Sequence, residues 1–414
     1  MISEKNAKIL SLESAFESCT NLEIIEINGF DTREIESLKN IFSLTENLQT
    51  INLTDFNSEN VKDMPYMFFD SNVEFFDLSI LDTRNVIDMS FMFANSKSLE
   101  SLDLSSFNTE NLKNMSHMFS NCIVLSTLDL SNFNTTKVND MSYLFQGCIT
   151  LESLNLSNFK TNLVKTMTHM FENCYKLQSL NLLNFDTSNV NDMSYMFSFY
   201  NDFSLDISSF NTNNVLNMSH MFSMNKNIKS LPISNFKTDK VVDFSFMFYG
   251  CYSLLELDIS NFNVEKGKYM NNMFDGCNNL KSLDVSNFET SSVEDISSMF
   301  KDCGQISTLN LEKFETSLVK NMSNLFYNCY RLYYIQFTNF DTQNVKDMSG
   351  MFFHCSILDY LNLQHFNTGQ VTNVKKMFQS CGNMRTLKID NDKFNTSKVT
   401  DMSYMFYSCT RLHI

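Results

Sequence analysis

The chain has 414 residues, with 31 Lys and Arg against 47 Asp and Glu and a net charge of −16. A balance this acidic argues against a nucleic-acid backbone as partner, because that contact needs a basic face. Apolar residues make up 43%, with 40 Phe and 26 Met but no Trp and only 2 Pro, so a large core is expected and wholesale disorder is not.

The start, MISEKNAKIL, has no basic patch followed by an apolar stretch, so no signal peptide is read there. No apolar run approaches the roughly 18 residues of a membrane helix, so no membrane span is expected. From Ile9 onward one pattern fills the chain. The Phe of a Met-Phe-like pair falls at Phe16, Phe42, Phe68, Phe93, Phe119 and Phe145, and continues in step to Phe378 and Phe406. The steps are 26 residues, except for two of 25 and one of 28. A second column, Phe30, Phe56, Leu81, Phe107, Phe133 and on to Phe394, runs with it. The domain reading is a single repeat solenoid over residues 1–414, with a partial first repeat at 1–20 and a partial last repeat at 395–414. Its turns are stabilised by stacking on their neighbours.

One unit, residues 125–148, reads LSTLDLSNFNTTKVNDMSYLFQGC. Leu125, Leu128 and Leu130 have the spacing of a leucine-rich-repeat strand, and polar Thr127, Asp129 and Ser131 alternate with them. Val138, Met141, Leu144, Phe145 and Cys148 follow a near-helical period, with Asp140 placed as an N-cap and Gly147 as a stop. The expected fold is α/β: a leucine-rich-repeat-like solenoid of about 15 turns of 26 residues. Each repeat holds one short strand plus one short helix or helical turn. The two 25-residue steps predict local irregularity over residues 68–81 and 197–210.

The run Leu102-Asp103-Leu104-Ser105, Phe107-Asn108-Thr109, Leu112, Met115, Met118, Phe119 and Cys122 resembles the 26-residue repeat of BspA-like leucine-rich-repeat proteins, a bacterial surface-protein family. The resemblance covers nearly the whole chain. It implies a non-enzymatic adhesion or protein-interaction module, at the cell surface or secreted, with a protein or glycan ligand. The absent leader leaves an intracellular, cytoplasmic interaction protein or effector as the alternative.

Stacking places equivalent residues on adjacent turns about 5 Å apart, so each position becomes a column. All 11 cysteines lie three residues after the marked Phe. Parallel side chains in one column do not meet as disulfides, and a straight row of thiols does not converge on a metal. Small buried apolar groups are the expected role. His117, His169 and His220 share a column with Tyr143 and Tyr195 and form no zinc spacing. The Thr column, from Thr32 through Thr109 and Thr135 to Thr396, is expected to satisfy corner backbone groups, as is the Asn column of Asn132, Asn158 and Asn184. No catalytic, cofactor-binding or metal constellation is read.

Two candidate partner-binding groups stand on the strand face. Asp77, Asp103 and Asp129 are consecutive column neighbours whose repulsion calls for relief from hydroxyls, a cation or a basic partner. Tyr334 and Tyr360 replace the usual Ser or Thr on adjacent late turns, with Tyr333 beside the first and Gln336 in place of Asp. Exposed tyrosines are typical of recognition surfaces. At both ends the pattern shows no polar cap, which predicts homo-oligomers formed through open solenoid ends as a further alternative.

Overall fold

The computed structural model describes residues 7–53, 56–71, 76–200 and 205–413. It divides into two compact units, Met1–Phe210 and Asn211–Ile414. The first holds β1 (Ala7–Lys8), β2 (Ile24–Glu26), β3 (Phe30–Asp31), β4 (Thr50–Asn52), β5 (Ser153–Leu154) and β6 (Ser179–Leu180). The second holds β7 (Thr308–Leu311), β8 (Tyr334–Phe337), β9 (Tyr360–Asn362) and β10 (Thr386–Lys388). Every strand pair is parallel: β1–β3, β2–β4 and β5–β6 in the first unit, β7–β8 and β9–β10 in the second. Register joins residues one repeat apart, as in Ile25 with Ile51, Leu154 with Leu180 and Leu309 with Ile335. Each unit is therefore a stack of leucine-rich-repeat-like coils.

The expected short helix is replaced. Among the described residues there is no α-helix, and one 3-10 turn at Leu78–Ile80. Residues 141–148 form consecutive β-turns, in which Leu144 N–H donates to Met141 O (3.4 Å), Gln146 to Tyr143 O (3.1 Å) and Cys148 to Phe145 O (3.1 Å). Tyr143 and Gly147 are left-handed, with φ of 58° and 73°, which breaks an α-helix at each point. The remaining N–H groups reach the next coil: Tyr143 donates to Thr168 O (2.8 Å), Phe145 to Met170 O (3.1 Å) and Gly147 to Glu172 O (2.8 Å). Backbone satisfaction thus runs between coils rather than along a helix. A Cβ at Gly147 would press on the end of the Asn121 side chain, although Asn121 and Asn173 take the same left-handed conformation at the equivalent position of the adjacent coils. Asp140 is no helix cap. It lies in parallel bridges to Asn114 and Thr166, and its Oδ1 accepts from the N–H (2.9 Å) and hydroxyl (2.6 Å) of Ser142.

The core is the Phe column expected from the repeat. Phe119, Phe145 and Phe171 are fully buried, and their rings stack at 5.9 and 5.8 Å. In the second unit Phe300 and Phe326 stack at 5.8 Å with only 1° between planes. Each such ring contributes about 1.5–3 kcal/mol through burial.

The polar columns clip one coil to the next. Thr109 Oγ1 donates to Asn134 O (3.2 Å) and accepts from Asn134 N–H (2.7 Å), and the residue is 1% exposed, so the hydroxyl row presents no ligand-binding array. Asn132 Nδ2 donates to Leu104 O and Phe107 O, each at 2.9 Å. The cysteines among the described residues are free thiols, and most are buried. They are not merely apolar filling: Cys148 Sγ donates to Phe119 O (3.1 Å) and Cys303 Sγ to Phe274 O (3.1 Å), each on the preceding coil. Burial pushes the Cys148 thiol up to about 12, so it stays protonated and keeps donating. Where the column lacks Cys, Ser96 Oγ makes the same bond to Phe68 O of the preceding coil (3.1 Å), while Thr45 and Ser71 donate within their own coil, to Phe42 O and Phe68 O (2.7 Å each).

The irregularity expected over residues 68–81 is present as the 3-10 turn, N-capped by Asp77, whose side chain accepts from Ser79 N–H. Residues 72–75 of that stretch, and 201–204 of the stretch 197–210, lie outside the described residues, as do residues 1–6 at the start. In the second stretch Tyr200 fills the Cys position, fully buried, with its ring 5.6 Å from Phe197. Of the strand leucines expected inside, Leu104, Leu128 and Leu130 are buried. Leu102 is half-buried.

Candidate functional site

The outward residues of the strand face make two surfaces of different chemistry. In the first unit, residues 101–131 form no regular strand. The Asp103 carboxylate accepts from Ser105 N–H (2.9 Å) and that of Asp129 from Ser131 N–H (2.9 Å), and Asp77 does the same with Ser79 (3.0 Å). Each side chain thus closes a small turn on its own backbone. The Ser79 and Ser105 hydroxyls and N–H groups hold Asp77 and Asp103 below the usual carboxylate range, and Ser131 does so for Asp129, N–H before hydroxyl. The expected relief of this acidic row comes from the serine two residues on. Neighbouring charge still opposes it at Asp77, where Asp103 pulls the other way.

In the second unit the strand face over residues 308–388 is neutral to basic and regular. Tyr334 opens β8 and pairs with Thr308, and Tyr360 opens β9 and pairs with Thr386. Gln336, half-buried, pairs with Asn310, and Asn362 with Lys388. Tyr333, Tyr334 and Tyr360 are 56%, 53% and 49% exposed. The coils that carry them touch, since Phe326 and Phe352 stack at 5.5 Å and Ser356 Oγ donates to Tyr330 O at 3.1 Å. Lys388 Nζ lies 5.5 Å from the centre of the Tyr360 ring, a cation–π contact that the column reading did not single out. Its signal in the sequence was the basic residue that ends an otherwise acidic or amide column. Arg385 and Asp359 flank the patch at 3.5 Å.

The histidines stack rather than ligate. In the first unit Tyr66, Phe91, His117, Tyr143, His169 and Tyr195 form one ladder, with neighbouring ring centres 4.0–4.4 Å apart. Burial in that ladder lowers His117 to about 4. His169 Nδ1 lies 2.7 Å from Glu172 Oε2. Among the described residues no group of three or more His, Cys, Asp or Glu is placed to hold a metal ion, and no helix is long and apolar enough to cross a membrane.

A protein family described as "Mycoplasma protein of unknown function, DUF285" matches the chain at residues 10–128, 69–180, 120–231, 176–282, 218–332 and 304–413. No curated protein matches it. Among solved structures, a leucine-rich repeat protein from Bacteroides ovatus is 16% identical with a TM-score of 0.47, covering 90% of this chain and 84% of that one. A leucine-rich repeat protein from Eubacterium ventriosum is 13% identical with a TM-score of 0.35, covering 97% and 87%. A leucine-rich cell surface protein from Faecalibacterium prausnitzii is 14% identical with a TM-score of 0.34, covering 88% and 78%. The chain belongs to the DUF285 family, and its repeat is of the BspA-like leucine-rich type.

Proposed function

We propose, from that membership, that the chain is a non-enzymatic interaction module that binds a protein or glycan partner through the strand face of its second unit. The observation that carries the reading is the tyrosine patch: Tyr334 opens β8, Tyr333 precedes it, Tyr360 opens β9, and all three stand about half exposed. A tyrosine presents a large amphipathic ring at low entropic cost, and strand pairing holds its backbone still. Lys388 gives the patch a basic group within an otherwise acidic chain, which favours a partner with carboxylate or hydroxyl groups. The surface setting of the BspA-like repeat supports exposure at a cell surface. The test is a glycan array and a panel of immobilised extracellular-matrix proteins, probed with the wild-type chain and with Tyr334→Ser/Tyr360→Ser. Retention that falls by about tenfold or more in the double variant supports the reading. Equal retention of both proteins removes the patch from the binding surface.

A further inference from the structure

The turn side of the second unit holds an ion pair whose carboxylate is buried. Tyr249, Asp275, Lys301 and Tyr327 occupy one column, each donating its N–H to the carbonyl three residues back, that of Phe246, Asn272, Ser298 and Asn324 in turn. Asp275 is 3% exposed, and Lys301 Nζ donates to its Oδ2 at 3.2 Å. Other pairs that join one coil to the next lie in water: in Lys62–Glu36, Lys268–Glu294 and Lys313–Glu289 the carboxylates are 67%, 37% and 62% exposed. Burying a carboxylate costs free energy that its attraction to a lysine only partly returns, so a clip between coils does not by itself account for Asp275.

A second carboxylate stands beside the pair. Asp302 Oδ2 lies 3.6 Å from Lys301 Nζ. Its other oxygen accepts from Asn328 Nδ2 at 2.8 Å, and Asn328 Oδ1 lies 2.7 Å from His354 Nδ1. This chain of side chains over three coils holds Asp302 with one oxygen turned to the lysine. Aromatic rings close the surroundings. Tyr249 and Tyr327 flank the pair in the column, and Tyr252 packs against the next residue, Gly276, where a Cβ would sit 3.1 Å from its ring.

Burial pushes the Asp275 carboxyl up to about 6, against the pull of Lys301. Burial acts to lower Lys301, but Asp275 and Asp302 hold it above the usual lysine range. One proton moved along the 3.2 Å bond turns this pair into a carboxylic acid and a free amine. A site of low polarity favours that form, because it removes two buried charges. An amine held against a carboxylic acid is placed for attack, with the entropy of meeting already spent by folding. The Lys301 side chain is 32% exposed, which leaves a released water a way out.

We propose that Lys301 and Asp275 join in an intramolecular isopeptide bond, with Asp302 as the proton carrier. Lys301 Nζ attacks Asp275 Cγ and forms the C–N bond. Asp302 takes a proton from the attacking nitrogen and gives it to the leaving hydroxyl. The C–O bond breaks, one water departs and an amide remains, with no oxidant, cofactor or co-reactant consumed. The bond fastens two adjacent coils covalently, in a unit whose cysteines are free thiols. It is separate from the tyrosine patch and does not rest on the function read there.

The test follows the full chain by intact mass spectrometry during incubation at about pH 6, where Asp275 is half protonated. Proteolysis and tandem mass spectrometry then locate the change. The expected result is a wild-type mass lower by one water, with a branched peptide that links the Asp275 and Lys301 segments. A succinimide at Asp275–Gly276 gives the same mass loss without the branch, so Lys301→Arg, which keeps the charge, is the control and should retain the full mass. Asp302→Asn should slow the loss by about a hundredfold or more, and Asp302→Glu should restore it. An unchanged wild-type mass, a loss that persists in Lys301→Arg, or a wild-type rate in Asp302→Asn overturns the proposal.

Discussion

Residues 101–131 of the first unit and residues 308–388 of the second are built on the same inward Leu and Phe columns, yet only the second forms strands of three and four residues. The difference lies in the outward column. In the acidic stretch Asp103 and Asp129 are neighbours; the bond each accepts from the N–H two residues on is also made by Asn310 and Asn362 of the regular stretch, so the contrast is one of charge. In the regular stretch the paired residues are Asn310 with Gln336 and Asn362 with Lys388, flanked by Tyr334, Tyr360, Thr308 and Thr386. Like charges facing one another weaken a strand pair, whereas aromatic and β-branched neighbours strengthen it. The second acidic pair, Asp258 and Asp284, also lies in a stretch without regular strand, while Asn155 and Asn181 sit beside the paired β5 and β6. The turn side and the Phe core carry the coil, and the outward residues decide what the strand face becomes.

The largest expected effect tests the shared frame. Phe145→Ala and Phe300→Ala each remove one fully buried ring from a stack, and each should cost about 3–5 kcal/mol in chemical denaturation. A loss confined to one unit's variant would mean that the two frames are not equivalent. Next come the clips between coils. Thr109→Val leaves Asn134 O and N–H without their hydroxyl partner, and Thr342→Val does the same to Asn367. Each should cost about 1–3 kcal/mol, read as a lowered midpoint with an unchanged m-value.

A third prediction concerns the ring ladder, whose left-handed column is aromatic from Tyr66 to Tyr195 but reads Asn272, Ser298 and Asn324 in the middle of the second unit. His117 is held near 4 when folded, against an ordinary 6.5, so the folded state binds its proton less readily than the unfolded chain does. Its contribution to stability is complete above pH 6.5 and is lost as pH falls from 6.5 through about 4. The melting temperature of wild type should therefore drop more over that window than that of His117→Phe. Parallel curves would remove His117 from the acid response. The smallest effect is the sharpest test of the comparison itself. Asp103→Asn/Asp129→Asn relieves the facing charges and should raise the denaturation midpoint slightly. It should also slow amide exchange around residues 101–131. Unchanged exchange there would show that charge is not what keeps this face irregular.

Much of this was legible in the residues. Phe119, Phe145 and Phe171 were placed inside by their spacing, and the Cys, Thr and Asn columns were assigned to the interior and the corners without any ligand. The 3.6-like spacing of Val138, Met141, Leu144, Phe145 and Cys148 misled, because a chain of β-turns with inward residues every three or four positions has nearly the same period as a helix. What separates them is a left-handed residue at Tyr143, a conformation that an aromatic side chain does not advertise. Likewise the tyrosine and aspartate columns could be marked as outward, but Lys388 over Tyr360 could not.

The sequence by itself determined the coil: its length, its inward columns and the order in which coils stack, because a 26-residue period leaves each apolar residue one neighbour above and one below. Only the tertiary structure decided how each coil closes and which outward side chains meet. Those outcomes depend on which N–H group finds a carbonyl on the next coil, and on which side chain comes to lie over its neighbour. Both are properties of two coils in contact, and neither is written in one coil alone.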